Sequence, residues 1–258
     1  MRRLVLPLLF LLAAAAHSEP ITVYLAGDST MAPKLPEKRP ETGWGERLQG
    51  FFADDRVRID NRAKNGRSTR SFIEEGSWQA ILDSLRAGDY VLIQFGHNDG
   101  AKDRPDRYTP PEDYRRNLVR FVTDVRAKRA IPVLVTPVVR RRFDERGGFF
   151  DSHGEYPDVV RAVAAAHDVP LVDMHRKSRS VLERAGAEGS RALFLQLKAH
   201  EHMNYPDGIT DNTHFSPHGA EIMARLAVDG LREAKVGLAD YVKSDDAPAP
   251  PRTVAPSR

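Results

Sequence analysis

The chain has 258 residues, 41% hydrophobic and 29% charged, which suffices for one sizeable domain with its own core, and no shift of composition asks for two. It contains no cysteine, which rules out disulfides, thiolate catalysis and cysteine-ligated zinc or iron–sulfur centres. The formal net charge is only +3, far from the basic excess that nucleic-acid binding demands.

At the N-terminus Arg2 and Arg3 precede the apolar stretch Leu4 to Ala16 and a small-residue exit at Ala16-His17-Ser18. This is the layout of a secretory signal peptide over residues 1–18, too short to anchor in a bilayer. Without it the chain is close to neutral, and no cysteine follows it to carry a lipid. We therefore expect a soluble, monomeric protein in a periplasm or outside the cell, with a domain over residues 19–243 and a disordered Asp/Ala/Pro tail over 244–258.

The first element is the stretch Ile21 to Thr30, ITVYLAGDST, an apolar, β-branched and aromatic run that stops at Gly27-Asp28-Ser29-Thr30. It reads as a buried strand of a parallel sheet, delivering Ser29 to the carboxyl edge where open α/β folds bind ligands. A polar, Pro-rich loop, Pro33 to Glu41, leads to Trp44, Leu48 and Phe52 at helical spacing. Val57 to Asn61 is a second strand opening into Asn65-Gly66-Arg67-Ser68, and Trp78, Ile81, Leu82 and Leu85 mark an amphipathic helix closed by Gly88. Tyr90 to Phe95 is a third, wholly apolar strand that ends in Gly96-His97-Asn98-Asp99.

Thr109-Pro110-Pro111-Glu112 has the pattern of a capping box before a long helix that buries Tyr114, Leu118, Phe121, Val122 and Val125. Ile131 to Val139 and Val169 to Met174 read as strands four and five, on either side of a helix carrying Val159, Val160 and Val163. Ser178 to Leu197 reads as helical, and Ser216 caps a last helix with Pro217 in its first turn. Five strands alternating with helices predict a doubly wound three-layer α/β/α sandwich with a five-stranded parallel sheet in flavodoxin-like order.

The chemistry follows from which residues sit at strand ends. A serine hydroxyl needs a base to take its proton, and the base needs an orienting group. Asp211 and His214, three residues apart in a turn, can place a carboxylate on imidazole Nδ1 and leave Nε2 for Ser29. Asp211 alone would pass for an ordinary turn residue. Acyl transfer also needs donors where charge develops on the carbonyl oxygen, and the backbone N–H groups of Ser29 and Gly66 and the side-chain amide of Asn98 are available. No metal or cofactor is called for, since His200-Glu201-His202 lacks a metal-binding spacing. His97 has two readings, lining the pocket or bonding within its own loop. Arg67, Arg70 and Arg140 to Arg142 read either as a solvated charged face or as a lure for a carboxylate-bearing substrate.

The four blocks GDST (27–30), NGRS (65–68), GHND (96–99) and DNTH (211–214) resemble, in order, those of the SGNH (GDSL-like) hydrolase family. More narrowly, GDSTM, NGRSTRSF and DNTHFSPHGA are similar to the rhamnogalacturonan acetylesterase branch. The resemblance implies a serine carbohydrate esterase in which Ser29, Asp211 and His214 form the triad and Ser29, Gly66 and Asn98 the oxyanion hole. It also implies an acetylated pectic polysaccharide or oligosaccharide as substrate. Two other readings stand beside it, an esterase on other small acyl esters such as acetylated xylan, and a secreted polysaccharide-binding protein without turnover.

Overall fold

The computed structural model describes residues 19–243, so the expected signal peptide and tail lie outside the described residues. Five parallel strands, β1 (Ile21–Gly27), β2 (Val57–Asn61), β3 (Tyr90–Gln94), β4 (Ile131–Val135) and β5 (Leu171–Val172), form one sheet in the order β2-β1-β3-β4-β5. β1 is thus flanked by β2 and β3, with Leu25 opposite both Asn61 and Leu92.

Alternate side chains divide the core between two layers, because successive strand residues face opposite ways. Val23, Leu25, Leu92 and Val133 face α5 (Met174–Gly189) and α6 (Pro217–Glu233). Tyr24, Ala26, Val91, Ile93 and Leu134 face α2 (Ser77–Ser84), α3 (Pro111–Ala127) and α4 (Tyr156–Ala166). The short α1 (Thr69–Glu74) adds Phe72 to the second layer. This is the expected three-layer α/β/α sandwich. Beside the sheet lies an antiparallel ribbon, β6 (Phe194–Leu197) with β7 (Ile209–Phe215).

Several local expectations give way to tertiary structure. Trp44 to Phe52 forms two 3₁₀ turns, Trp44–Glu46 and Leu48–Phe51, instead of an α-helix. The chain there lies directly on the segment after the nucleophile: Trp44 N donates to Thr30 O at 2.9 Å, and a Cβ on Gly43 would sit 2.1 Å from Ala32 O. Strand five ends at Val172 because the Asp173 side chain caps α5, accepting from Arg176 N. Beyond β4, Val139 N turns to the Ser178 hydroxyl. Thr109 forms no capping box; the N-cap of α3 is Pro110, while the Thr109 hydroxyl donates to Arg107 O. The helix expected to run to Leu197 ends near Gly189, and Phe194–Leu197 pairs as β6. The Ser216 cap forms as read, its hydroxyl oxygen accepting from Gly219 N at 3.0 Å.

Candidate active site

Ser29 follows β1 directly, half-buried at the carboxyl edge of the sheet. A buried polar network grips the residues on either side of it. The Asp28 carboxylate accepts from Thr30 N at 3.0 Å and from the Thr30 hydroxyl at 2.8 Å, and its other oxygen meets His97 Nδ1 at 2.9 Å. Gln94 Nε2 donates to the Thr30 hydroxyl oxygen at 2.7 Å, and Trp44 Nε1 donates to Gln94 Oε1 at 2.9 Å. Burial raises the Asp28 carboxyl, but the charge and hydrogen bond of His97 together with the Thr30 donors outweigh it and hold the group at about 2.

The His214 imidazole comes from β7. Its Nδ1 lies 2.7 Å from Asp211 Oδ2 and its Nε2 lies 2.8 Å from Ser29 Oγ. Asp211 accepts from Nδ1–H, so Nε2 presents its lone pair to the serine hydroxyl. The pair was expected on a turn, whereas the backbone runs as a strand; the turn-like element is the Asp211 side chain, which accepts from Thr213 N at 2.7 Å and His214 N at 2.9 Å. Burial raises the Asp211 carboxyl, but the hydrogen bond and charge of His214 and these two backbone donors prevail and hold it below its ordinary value.

Gly66 and Asn98 close the other side. Gly66 has φ +76°, a left-handed conformation that side chains resist, on the loop after β2. Asn98 Nδ2 donates to Arg67 O at 3.0 Å, which leaves its second amide N–H for a ligand. The next residue, Asp99, fastens the same two loops together, accepting from Thr69 N at 2.9 Å, the Thr69 hydroxyl at 2.6 Å and Gly96 N at 3.1 Å. Burial pushes its carboxyl up to about 7 against those donors. Ser29, Gly66 and Asn98 therefore stand at the ends of three adjacent strands, β1, β2 and β3.

Among the described residues, those read as possible substrate contacts all have side-chain partners of their own except Arg142. His97 is only 4% exposed and its Nδ1 bonds Asp28; among the described residues its buried Nε2 has no partner, and it lies among the residues lining a cavity with Gly96, Tyr108 and Tyr156. All three guanidinium nitrogens of Arg67 are engaged, by Glu75 and Asn65 O. Arg70 donates to Pro105 O and faces Glu74, Arg140 donates to His97 O, and Arg141 is spread over Asn212 and Ala187. An anionic substrate would have to displace these partners of Arg67, Arg70, Arg140 and Arg141, whereas Arg142 is exposed.

Two clusters escaped the sequence reading because their members lie far apart or inside loops without periodicity. Lys34 and Glu41 form an ion pair of 2.8 Å beside Ser29. Asp151, His153 and His175 gather three potential metal-ligating atoms within 4.8 Å. Arg161, however, points a guanidinium nitrogen at His175 Nδ1 from 3.4 Å, so the proton is on Nε2, which faces Asp151 Oδ2 at 3.1 Å. His153 Nδ1 meets Asp151 Oδ1 at 3.0 Å, and burial above all pushes this imidazole down to about 3. The Asp151 carboxylate thus lies between the two imidazoles, His153 on one oxygen and His175 facing the other.

A doubly wound sheet that carries a hydrogen-bonded Ser29–His214–Asp211 line at its carboxyl edge has the architecture of ester-cleaving hydrolases. Residues 25–222 match the GDSL-like Lipase/Acylhydrolase family, and the chain belongs to that family and is an ester-hydrolysing enzyme. It is 45% identical over 226 residues to the rhamnogalacturonan acetylesterase RhgT of Bacillus subtilis (strain 168), covering 88% of this chain and 96% of the relative. It is 30% identical over 245 residues to a rhamnogalacturonan acetylesterase of Emericella nidulans, covering 87% and 90%. Among solved structures, YxiM of Bacillus subtilis superposes with a TM-score of 0.72 at 26% identity over 84% of this chain and 58% of that one.

Proposed function

We propose that this protein is a carbohydrate acetylesterase that removes O-acetyl groups from pectic rhamnogalacturonan outside the cytoplasm. The observation that carries the chemistry is the 2.8 Å approach of Ser29 Oγ to a His214 whose other nitrogen is held by Asp211. Ser29 attacks the acetyl carbonyl as Nε2 takes its proton, and the oxyanion is received by the N–H groups of Ser29 and Gly66 and the Asn98 amide. The imidazolium then protonates the departing sugar oxygen, and water, activated by the same nitrogen, releases acetate from Ser29. The substrate class is supported by the two relatives named rhamnogalacturonan acetylesterases, and the location by Arg2, Arg3 and the apolar stretch that follows.

The test is acetate release from acetylated rhamnogalacturonan and from acetylated xylan by wild type and Ser29→Ala. Release from the pectic polymer, abolished in Ser29→Ala, is expected. Equal or preferential release from xylan would overturn the pectic assignment, and release that survives in Ser29→Ala would overturn the nucleophile.

A further inference from the structure

Lys34 and Glu41 sit at opposite ends of the Pro-rich loop that follows the nucleophile. Lys34 is 6% exposed, and a buried ammonium is tolerated only when it is paired and its N–H groups are satisfied. Its Nζ has three oxygen partners, Ser29 O at 2.5 Å, Asn65 Oδ1 at 2.7 Å and Glu41 Oε1 at 2.8 Å. One cation therefore links the nucleophile's own peptide, the loop that carries Gly66, and a second carboxylate.

That carboxylate is aimed at the reacting atoms. Glu41 Oε1 lies 4.0 Å from His214 Nε2, and the backbone behind it is pinned to the ribbon by Thr42 N donating to Phe215 O at 3.1 Å. Among the described residues no donor occupies Oε2. During acyl transfer the departing alcohol oxygen must come within hydrogen-bond reach of Nε2 to receive its proton. In a sugar, a hydroxyl on the neighbouring ring carbon lies about one hydrogen-bond length from that oxygen, a span that a carboxylate oxygen 4.0 Å from Nε2 can meet. The Lys34 charge offsets that of Glu41, so the carboxylate can accept from a hydroxyl without adding net negative charge beside the ester.

We propose that Glu41, clamped by Lys34, is a specificity-determining residue that accepts a hydrogen bond from a free hydroxyl adjacent to the acetylated oxygen. This rests on the carbohydrate reading above, since a simple alcohol offers no such hydroxyl. The enzyme selects acetyl groups flanked by an unmodified hydroxyl.

The experiment measures kcat and KM on three esters: a mono-O-acetylated methyl glycoside with a free vicinal hydroxyl, the same glycoside with that hydroxyl O-methylated, and p-nitrophenyl acetate. One hydrogen bond to a charged group predicts that wild type prefers the free-hydroxyl glycoside over its O-methyl form by roughly 10- to 100-fold in kcat/KM. In Glu41→Gln that ratio falls several-fold. In the double variant Lys34→Met, Glu41→Leu, which leaves no unpaired buried charge, it falls to near one. Labelling of Ser29 by a fluorophosphonate reports that each variant is folded and competent. A wild type that hydrolyses both glycosides alike overturns this proposal alone, as do variants whose losses are equal on all three esters. Hydrolysis of p-nitrophenyl acetate with neither glycoside cleaved overturns the carbohydrate reading, and this inference with it.

Discussion

The two halves of the reacting pair are held in place by different means. Ser29 emerges from the middle of the sheet, and its neighbours are fixed by side chains distant in sequence, Gln94, Trp44 and His97, all buried. His214 belongs to a half-exposed ribbon at the sheet's side and is oriented by a residue three positions away. Global packing positions the nucleophile, whereas local hydrogen bonding positions the base. Changes behind Ser29 should thus cost stability first, and changes beside His214 should cost turnover first.

The largest effect is expected at Asp211→Asn. The amide keeps an oxygen for Thr213 N and His214 N, so the ribbon should remain folded, but it presents N–H groups to Nδ1 and imposes the wrong tautomer. Turnover should fall by about 10⁴ with an unchanged melting temperature. A large loss of stability would show that the ribbon depends on the charge and would blur the contrast. Next comes Asn98→Ala, which removes one donor to the oxyanion and should lower kcat by about 10² to 10³ while the fold is retained. Unchanged turnover would take Asn98 out of the site.

Asp28 tests the nucleophile side through pH. Its carboxyl is lowered from an ordinary 3.8 to about 2, so its contribution is fully present above pH 4 and is lost as pH falls from about 4 to about 2. The size is about 2 kcal/mol. Denaturant midpoints followed across that window should drop more steeply in wild type than in Asp28→Asn; parallel curves would disprove the assignment. The smallest effect is expected for Trp44→Phe, which keeps one aromatic ring in the buried site but loses the second ring and strands Gln94 Oε1 without its donor. It should cost about 1–2 kcal/mol in chemical denaturation while fluorophosphonate still labels Ser29.

The same division explains what was legible in the sequence. Strands one, three and four could be read because buried parallel strands are largely apolar runs, and strand two from Val57 and Ile59 ahead of a loop; Ser29, Gly66 and Asn98 stood out on the segments after those strands, whereas His214 stood out only by its spacing from Asp211. The Trp44–Phe52 segment misled because its apolar spacing matches a helix, whereas the segment forms two 3₁₀ turns where Gly43 packs against the backbone at Ala32. The ribbon was hidden by an Ala/Leu-rich stretch whose helical period continues past the end of α5. Lys34, Glu41 and the partners of Arg67 could not be read at all, because nothing in a polar loop encodes which distant charge it will meet.

The ribbon's pairing is short, joining Phe194, Gln196 and Leu197 to Phe215, Thr210 and Ile209 with a shift of register between Phe194 and Gln196. It is rooted at one end, where Ser216 bonds back to Ala192 and Leu193, and at the other it opens into the exposed stretch around Lys198 to His200. Such a unit opens locally at a lower free energy than the sheet it borders. On warming, His214 is therefore expected to part from Ser29 before β1 and β3 yield, and the amide protons of Thr213 and His214 to exchange ahead of those of Leu25 and Leu92; activity and global fold lost at one temperature would show the opposite.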